Sequence, residues 1–264
     1  LMFKLKKSLG QNFLIDKNII NKILSVEKLR NQNVIEIGPG SGNLSKMIIQ
    51  KEVNKFLAIE KDERFCDLLD KKYADNNNIN FENIDILKKD LSKINLKNVI
   101  VFGNLPYNIS TQILVNFINL NDWPPFYKKI IFMFQKEVAD RILAKPKTKQ
   151  YGRLTILANY RLDIVKSFSI SKNSFFPIPS VDSKVIVFKP KLNIRYKINN
   201  IKNLEYITNI FFGSKRKMIN KAFARIFKNH LIVSEKLKIN LKLRPSDLSL
   251  DQYYKLAEYY ESNK

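Results

Sequence analysis

Residues 34–43, VIEIGPGSGN, run a β-branched segment directly into three glycines set two residues apart. Val34, Ile35 and Ile37 read as a buried strand, and Leu44–Gln50 beyond the glycines has helical periodicity. Gly38, Gly40 and Gly42 let the chain turn tightly and let a ligand approach the backbone with no side chain in the way. The same glycines also fit a plain tight turn, so this segment alone leaves both readings open. The spacing is E-x-G-x-G-x-G from Glu36. Asn43 stands where the dinucleotide fingerprint G-x-G-x-x-G needs its last glycine, which disfavours a nicotinamide dehydrogenase.

The segments that follow repeat the pattern. Phe56–Ile59, Ile79–Phe81, Val99–Phe102 and Ile130–Phe134 read as strands, and Glu63–Tyr73, Thr111–Leu120 and Lys136–Ala144 as helices. Strands alternating with helices of this length predict parallel βαβ units in an open α/β sheet. Residues 163–188 hold two further β-like runs around the proline-rich link FFPIPS. The polar stretch KPKLNIRYKINN, 189–200, reads as a linker, and the pattern beyond it is helical. Ser249 and Gln252 have capping-box spacing, which starts the last helix near Leu250. The expected organisation is a larger α/β domain over 1–190 and a smaller all-α domain over 191–264.

Composition narrows the function classes. The 264 residues are 45% apolar, enough for a packed core, and no apolar run approaches the roughly 20 residues of a membrane span. The N-terminal LMFKLKKS lacks the apolar stretch of a secretory signal. A single cysteine, Cys66, excludes an internal disulfide and a multi-cysteine zinc site, so no metal is expected and a reduced cytoplasm is the natural setting. A single histidine, His230, argues against a Ser-His relay. The formal charge is +23, suited to a polyanionic partner, although a general compositional bias toward lysine also accounts for it. Residues 191–264 carry sixteen Lys/Arg against six Asp/Glu, about twice the net positive charge per residue of the first 190.

Three more residues fall at strand carboxyl ends, where open α/β sheets bind ligands. Glu60 ends the second strand, 22 residues after Gly38, and a carboxylate there can accept both hydroxyls of a ribose. Asp85 follows the third strand, placed to accept from an adenine amine; alone it reads equally as a loop aspartate. The fourth strand runs through VIVFGNLPYNIS, 99–110, into Asn104-Leu105-Pro106-Tyr107. The Asn104 amide oxygen and the Leu105 carbonyl can accept from one planar amine. Pro106 stiffens the loop, and Tyr107 offers a stacking face worth about 1–3 kcal/mol in nucleic-acid sites. Two acceptors on an adenine amine also stabilise the positive charge that grows on nitrogen during alkylation.

Together KKSLGQNFLID, EIGPGSG, GNLPYNIS, FFPIPSVDS and DLSLDQYYKLAEYY make the chain resemble the small-subunit ribosomal RNA adenine dimethyltransferases, from about Lys6 to Tyr260. The resemblance implies a Rossmann-like class I methyltransferase sheet using S-adenosylmethionine. Asn12 and Leu14 would close over this cosubstrate, with Gly38 at its methionine part, Glu60 at its ribose and Asp85 at its adenine. Asn104 would touch both cosubstrate and target amine. Tyr107 and Phe176 would sandwich a flipped adenine, whose flipping costs a few kcal/mol. Against this, Phe175 and Phe176 also read as a core pair, and QNFL as a capping turn into a helix over Asp16–Leu24. The implied reaction dimethylates N6 of two adjacent adenosines near the 3′ end of 16S ribosomal RNA, within a pre-assembled small subunit. The enzyme is expected to be a cytoplasmic monomer supporting ribosome biogenesis.

In SKRKMINKAFARIFK, 214–228, Met218, Ile219, Ala222, Phe223, Ile226 and Phe227 fall at helical spacing, with Lys217, Lys221, Arg225 and Lys228 along the other face. That face reads either as an ordinary solvated one or as a rail for RNA phosphates. Phe211 and Phe212 read as core. Two alternatives to the main function remain: a large-subunit (23S) enzyme of the macrolide-resistance type, and a non-catalytic assembly factor on the same fold. The closing LSLDQYYKLAEYY favours the small-subunit group over the first, and intact Asn104, Glu60 and Asp85 argue against the second.

Overall fold

The computed structural model describes residues 11–264, so Lys6–Gly10 of the first motif lie outside the described residues. The described chain forms two compact units. One runs to Ala139 and takes in Asp163–Pro190; the other takes Asp140–Leu162 and Lys191–Lys264.

The first unit is built on strands β2 (Asn33–Ile37), β3 (Lys55–Glu60), β4 (Ile79–Asn83), β5 (Val99–Asn104), β6 (Tyr127–Gln135), β7 (Leu162–Ile170) and β9 (Ser183–Pro190). A short pair, β1 (Phe13–Leu14) and β8 (Phe175–Phe176), stands apart from them. The sheet order is β4-β3-β2-β5-β6-β9-β7. The first five strands are parallel, as helices between strands require, and β9 joins β6 antiparallel. Order reverses between β2 and β5, so the carboxyl ends of β2, β3, β4 and β5 open onto one crevice. Val34, Ile35, Val101 and Phe102 are fully buried, as expected for central strands covered on both faces. The intervening helices α2 (Asn43–Ile49), α3 (Glu63–Lys72) and α4 (Ser110–Ile118) follow the sequence pattern closely. Helix α1 (Lys17–Leu24) is capped by Asp16, whose Oδ1 accepts from Asn18 and Ile19 N–H.

The second unit contains α6 (Arg153–Arg161), α7 (Ile201–Phe212), α8 (Asn220–Ile226), α9 (His230–Leu237) and α10 (Leu250–Ser262). The chain enters it within α5 (Lys136–Ile142). Tyr253 is buried, stacked on Phe212 and edge-on to Phe211, with its hydroxyl donating to Pro245 O at 2.7 Å. The Ser249–Gln252 capping box forms as spaced and opens α10 at Leu250.

Two expectations need correction. A single cut at residue 190 does not describe the packing, because 140–162 belongs with the helices. Tyr254 donates to Ile156 O at 2.9 Å, and the Tyr160 hydroxyl donates to Tyr196 O at 2.9 Å and accepts from Ile198 N–H at 3.1 Å. These bonds also fix the linker, whose Lys197 and Asn199 N–H groups donate to Glu258 and Glu261. The second correction concerns 214–228, where a helix exists only over Asn220–Ile226. Ile219 N–H donates to Leu243 O, and Lys215 Nζ to the carbonyls of Lys149 and Tyr151, so tertiary bonds hold the preceding residues in turns. Met218 is exposed rather than core, and Lys217 lies before the helix and Lys228 after it.

Candidate active site

The three glycines take left-handed φ of +68° at Gly38, +51° at Gly40 and +77° at Gly42, a region that penalises side chains. Gly40 is also a close approach: a Cβ there would lie 2.3 Å from the Phe13 ring. The turn therefore lets β1 settle directly on it.

Each residue of QNFL is tied down. Gln11 Nε2 donates to Asp62 Oδ2 at 2.8 Å, and Asp62 is in turn gripped by Arg64. The Asn12 carbonyl accepts from Asn104 Nδ2 at 2.7 Å. Phe13 packs on Gly40 and edge-on to Phe65, ring centroids 5.3 Å apart. The Leu14 carbonyl accepts from Asn43 Nδ2 at 2.9 Å. The segment thus roofs the crevice and also leads into the capped α1.

Beneath it lies a cleft of about 890 Å³, measured out to its open mouth. Asn12, Gly38, Glu60, Asp85, Asn104, Leu105, Pro106 and Tyr107 all line it. Leu14 does not. Successive strand residues face opposite ways, so Phe13 takes the cleft side and Leu14, 3% exposed, joins the core with Ile20 and Phe175. Phe176 also lies outside the cleft wall, but it pairs with Phe13 across the β1–β8 ladder. Within FFPIPS the structure separates the two rings: Phe175 is 1% exposed and Phe176 49%. Sequence reading missed Gln11, Phe13 and Lys61 as cleft residues. The first two lie inside a motif already singled out, and Lys61 carries no signal beyond adjacency to Glu60.

Glu60 is nearly buried. Its Oε2 accepts from Gly40 N–H at 3.0 Å and its Oε1 from Asp62 N–H at 2.8 Å. Burial raises its pKa and these bonds oppose the rise. The Lys61 N–H adds a third backbone bond, and a carboxylate offers about four acceptor sites in all, so Glu60 can still accept from a ligand hydroxyl. Asp85 is held the opposite way. Lys61 Nζ sits 2.8 Å from its Oδ2 and Leu87 N–H donates to its Oδ1 at 3.0 Å, so its pKa is lowered, chiefly by the lysine. Asn104 ends β5, and because its Nδ2 is engaged by Asn12, its Oδ1 is turned away from that bond as an acceptor. Tyr107 is half-buried, and its hydroxyl lies 2.9 Å from Ser183 Oγ. Lys217, Lys221, Arg225 and Lys228 are all exposed, in the helical unit.

A doubly wound sheet of this order, with a glycine turn and strand-end carboxylates facing one cleft, is a Rossmann-like fold, and its structural neighbours are methyltransferases. A crystal structure of a dimethyladenosine transferase from Plasmodium falciparum aligns with a TM-score of 0.78 at 26% identity, covering 95% of this chain and 97% of that one. The 23S rRNA methyltransferase ErmE shares the fold, with a TM-score of 0.68 at 21% identity over 94% of this chain and 99% of that one. The ribosomal RNA small subunit methyltransferase A of Pelagibacter ubique is 46% identical over 98% of this chain and 97% of its own length. That of a Prochlorococcus marinus strain is 38% identical over 96% and 94%. The family described as ribosomal RNA adenine dimethylase matches residues 2–262, and the chain belongs to it. It is accordingly an enzyme that methylates adenine in ribosomal RNA.

Proposed function

We propose that this enzyme dimethylates N6 of two adjacent adenosines near the 3′ end of the small-subunit ribosomal RNA, using S-adenosylmethionine, on a pre-assembled subunit. The curated relatives, named for the small subunit, support that choice over a large-subunit target.

The cleft fits the cosubstrate. Among the described residues, Gly38 has only the Asn104 carbonyl, 3.9 Å away, near the place of a Cβ, so its backbone is open to a ligand. Glu60 accepts from ribose hydroxyls, and Asp85, kept ionised by Lys61, accepts from the adenine amine. Asn12 and Phe13 cover the bound molecule. When bound, the cosubstrate supplies an electrophilic methyl group on a sulfonium. Asn104 Oδ1 and the Leu105 carbonyl receive the target amine, drawing its lone pair out of conjugation and stabilising charge on nitrogen. Tyr107 stacks on the flipped base, and the exposed Phe176 takes its other face. Lys217, Lys221, Arg225 and Lys228 hold RNA phosphates. The reading also includes a monomer acting in the cytoplasm.

The observation that carries the proposal is the Asn104 amide, fixed by the Asn12 carbonyl in the wall of the cleft that Glu60 and Asp85 also line. Incubation with immature small subunits and the methyl donor, followed by digestion and mass spectrometry, should yield N6,N6-dimethyladenosine from one adjacent pair. The Asn104→Ala variant should bind the subunits yet transfer no methyl. Methylation confined to large-subunit RNA, or normal dimethylation by Asn104→Ala, would overturn this reading.

A further inference from the structure

Ser183 is the first residue of β9, 1% exposed, and its Oγ lies 2.9 Å from the Tyr107 hydroxyl. Tyr107 sits on the loop after β5, a stretch with no regular structure of its own to fix a ring. Burial raises the phenol pKa, so the hydroxyl stays protonated and able to donate at neutral pH.

The other end of the bond is rigid. Ser183 is in register with Gln135 on the antiparallel β6–β9 ladder. The preceding Asp182 accepts from Lys136 N–H through its carbonyl and from Lys172 N–H through Oδ1, both at 2.9 Å. The second of these bonds closes the loop that carries Phe176. A hydroxyl on such a post costs little further ordering when it binds a neighbour, and it fixes where the far end of the tyrosine ring lies.

We propose that Ser183 is a positioning residue for the reaction, holding in place the Tyr107 ring on which the target adenine stacks. This rests on the stacking role given to Tyr107 above. Ser183 touches neither cosubstrate nor base. Its effect belongs in the RNA-dependent step, transmitted through one hydrogen bond.

A double-mutant cycle with immature small subunits as substrate tests it. Ser183→Ala and Tyr107→Phe should each lower kcat/KM for methyl transfer by about threefold to tenfold, the range of one lost hydrogen bond. The double variant should lose no more than either single one. Calorimetric affinity for S-adenosylmethionine should be unchanged in all three, which also shows that they fold. Multiplicative losses, or Ser183→Ala at the parent rate, would overturn the proposal. Tyr107→Ala tells the two readings apart: the parent rate in that variant refutes the stacking role itself. A large loss there, with Ser183→Ala unaffected, refutes only the part given to Ser183.

Discussion

Glu36 lies inside β2, 2% exposed, and the hydroxyl of Ser45 donates to its Oε2 at 2.6 Å. Burial pushes its pKa up to about 8, the serine bond opposes this and the Glu60 charge adds to it. The folded protein therefore holds a proton that an unfolded chain releases near the ordinary value of 4.5. Between those two values the native state binds more protons than the unfolded state, so stability falls as pH rises through the window. The contribution is fully present below the lower value and lost above the upper. Glu36→Gln keeps an acceptor for Ser45 and carries no charge. Its denaturant midpoint should decline less than the parent's across that window. Equal declines would show that Glu36 does not titrate in this way.

At the scale of elements, α8 shows what a short helix can present. Ile219, Phe223 and Phe227 turn inward at a spacing of four, with Phe223 and Phe227 rings 5.0 Å apart, while Lys221 and Arg225 share the exposed side. Lys217 and Lys228 extend this basic stretch from turns at either end. Replacing Lys217 and Lys221 by alanine should weaken binding to immature subunits. It should also flatten the log–log salt slope by about 0.7–0.9 for each phosphate left unneutralised. Filter binding across a salt series measures this, and an unchanged slope would make the four cations an ordinary solvated surface. The helical pattern of 214–228 was legible in sequence and its start was not. The Ile219 N–H bonds to a carbonyl 24 residues away, and local periodicity carries no trace of such a partner.

For the whole molecule, the division into units is not a division of the sequence. Tyr160 and Tyr254, on α6 and α10, each place a hydroxyl on a backbone group distant in sequence. Removing residues 140–162 leaves those partners unsatisfied, at about 1–3 kcal/mol for each buried group, in a unit too small to absorb it. A fragment of residues 191–264 should therefore show little helix by circular dichroism and no cooperative melt. A cooperative transition in that fragment would show that α6 is dispensable. The sequence alone determined the parallel sheet, the glycine turn, the strand-end Glu60, Asp85 and Asn104, and the cap of α10. Each is written in local periodicity or in a residue type that a strand end or helix start requires. Tertiary structure decided that Phe176 and not Phe175 is exposed, that Leu14 is core, that α6 packs with the C-terminal helices, and that Ser183 meets Tyr107. Those outcomes depend on which distant surface closes over a residue, and the free energy of that closure belongs to pairs of segments rather than to either one alone.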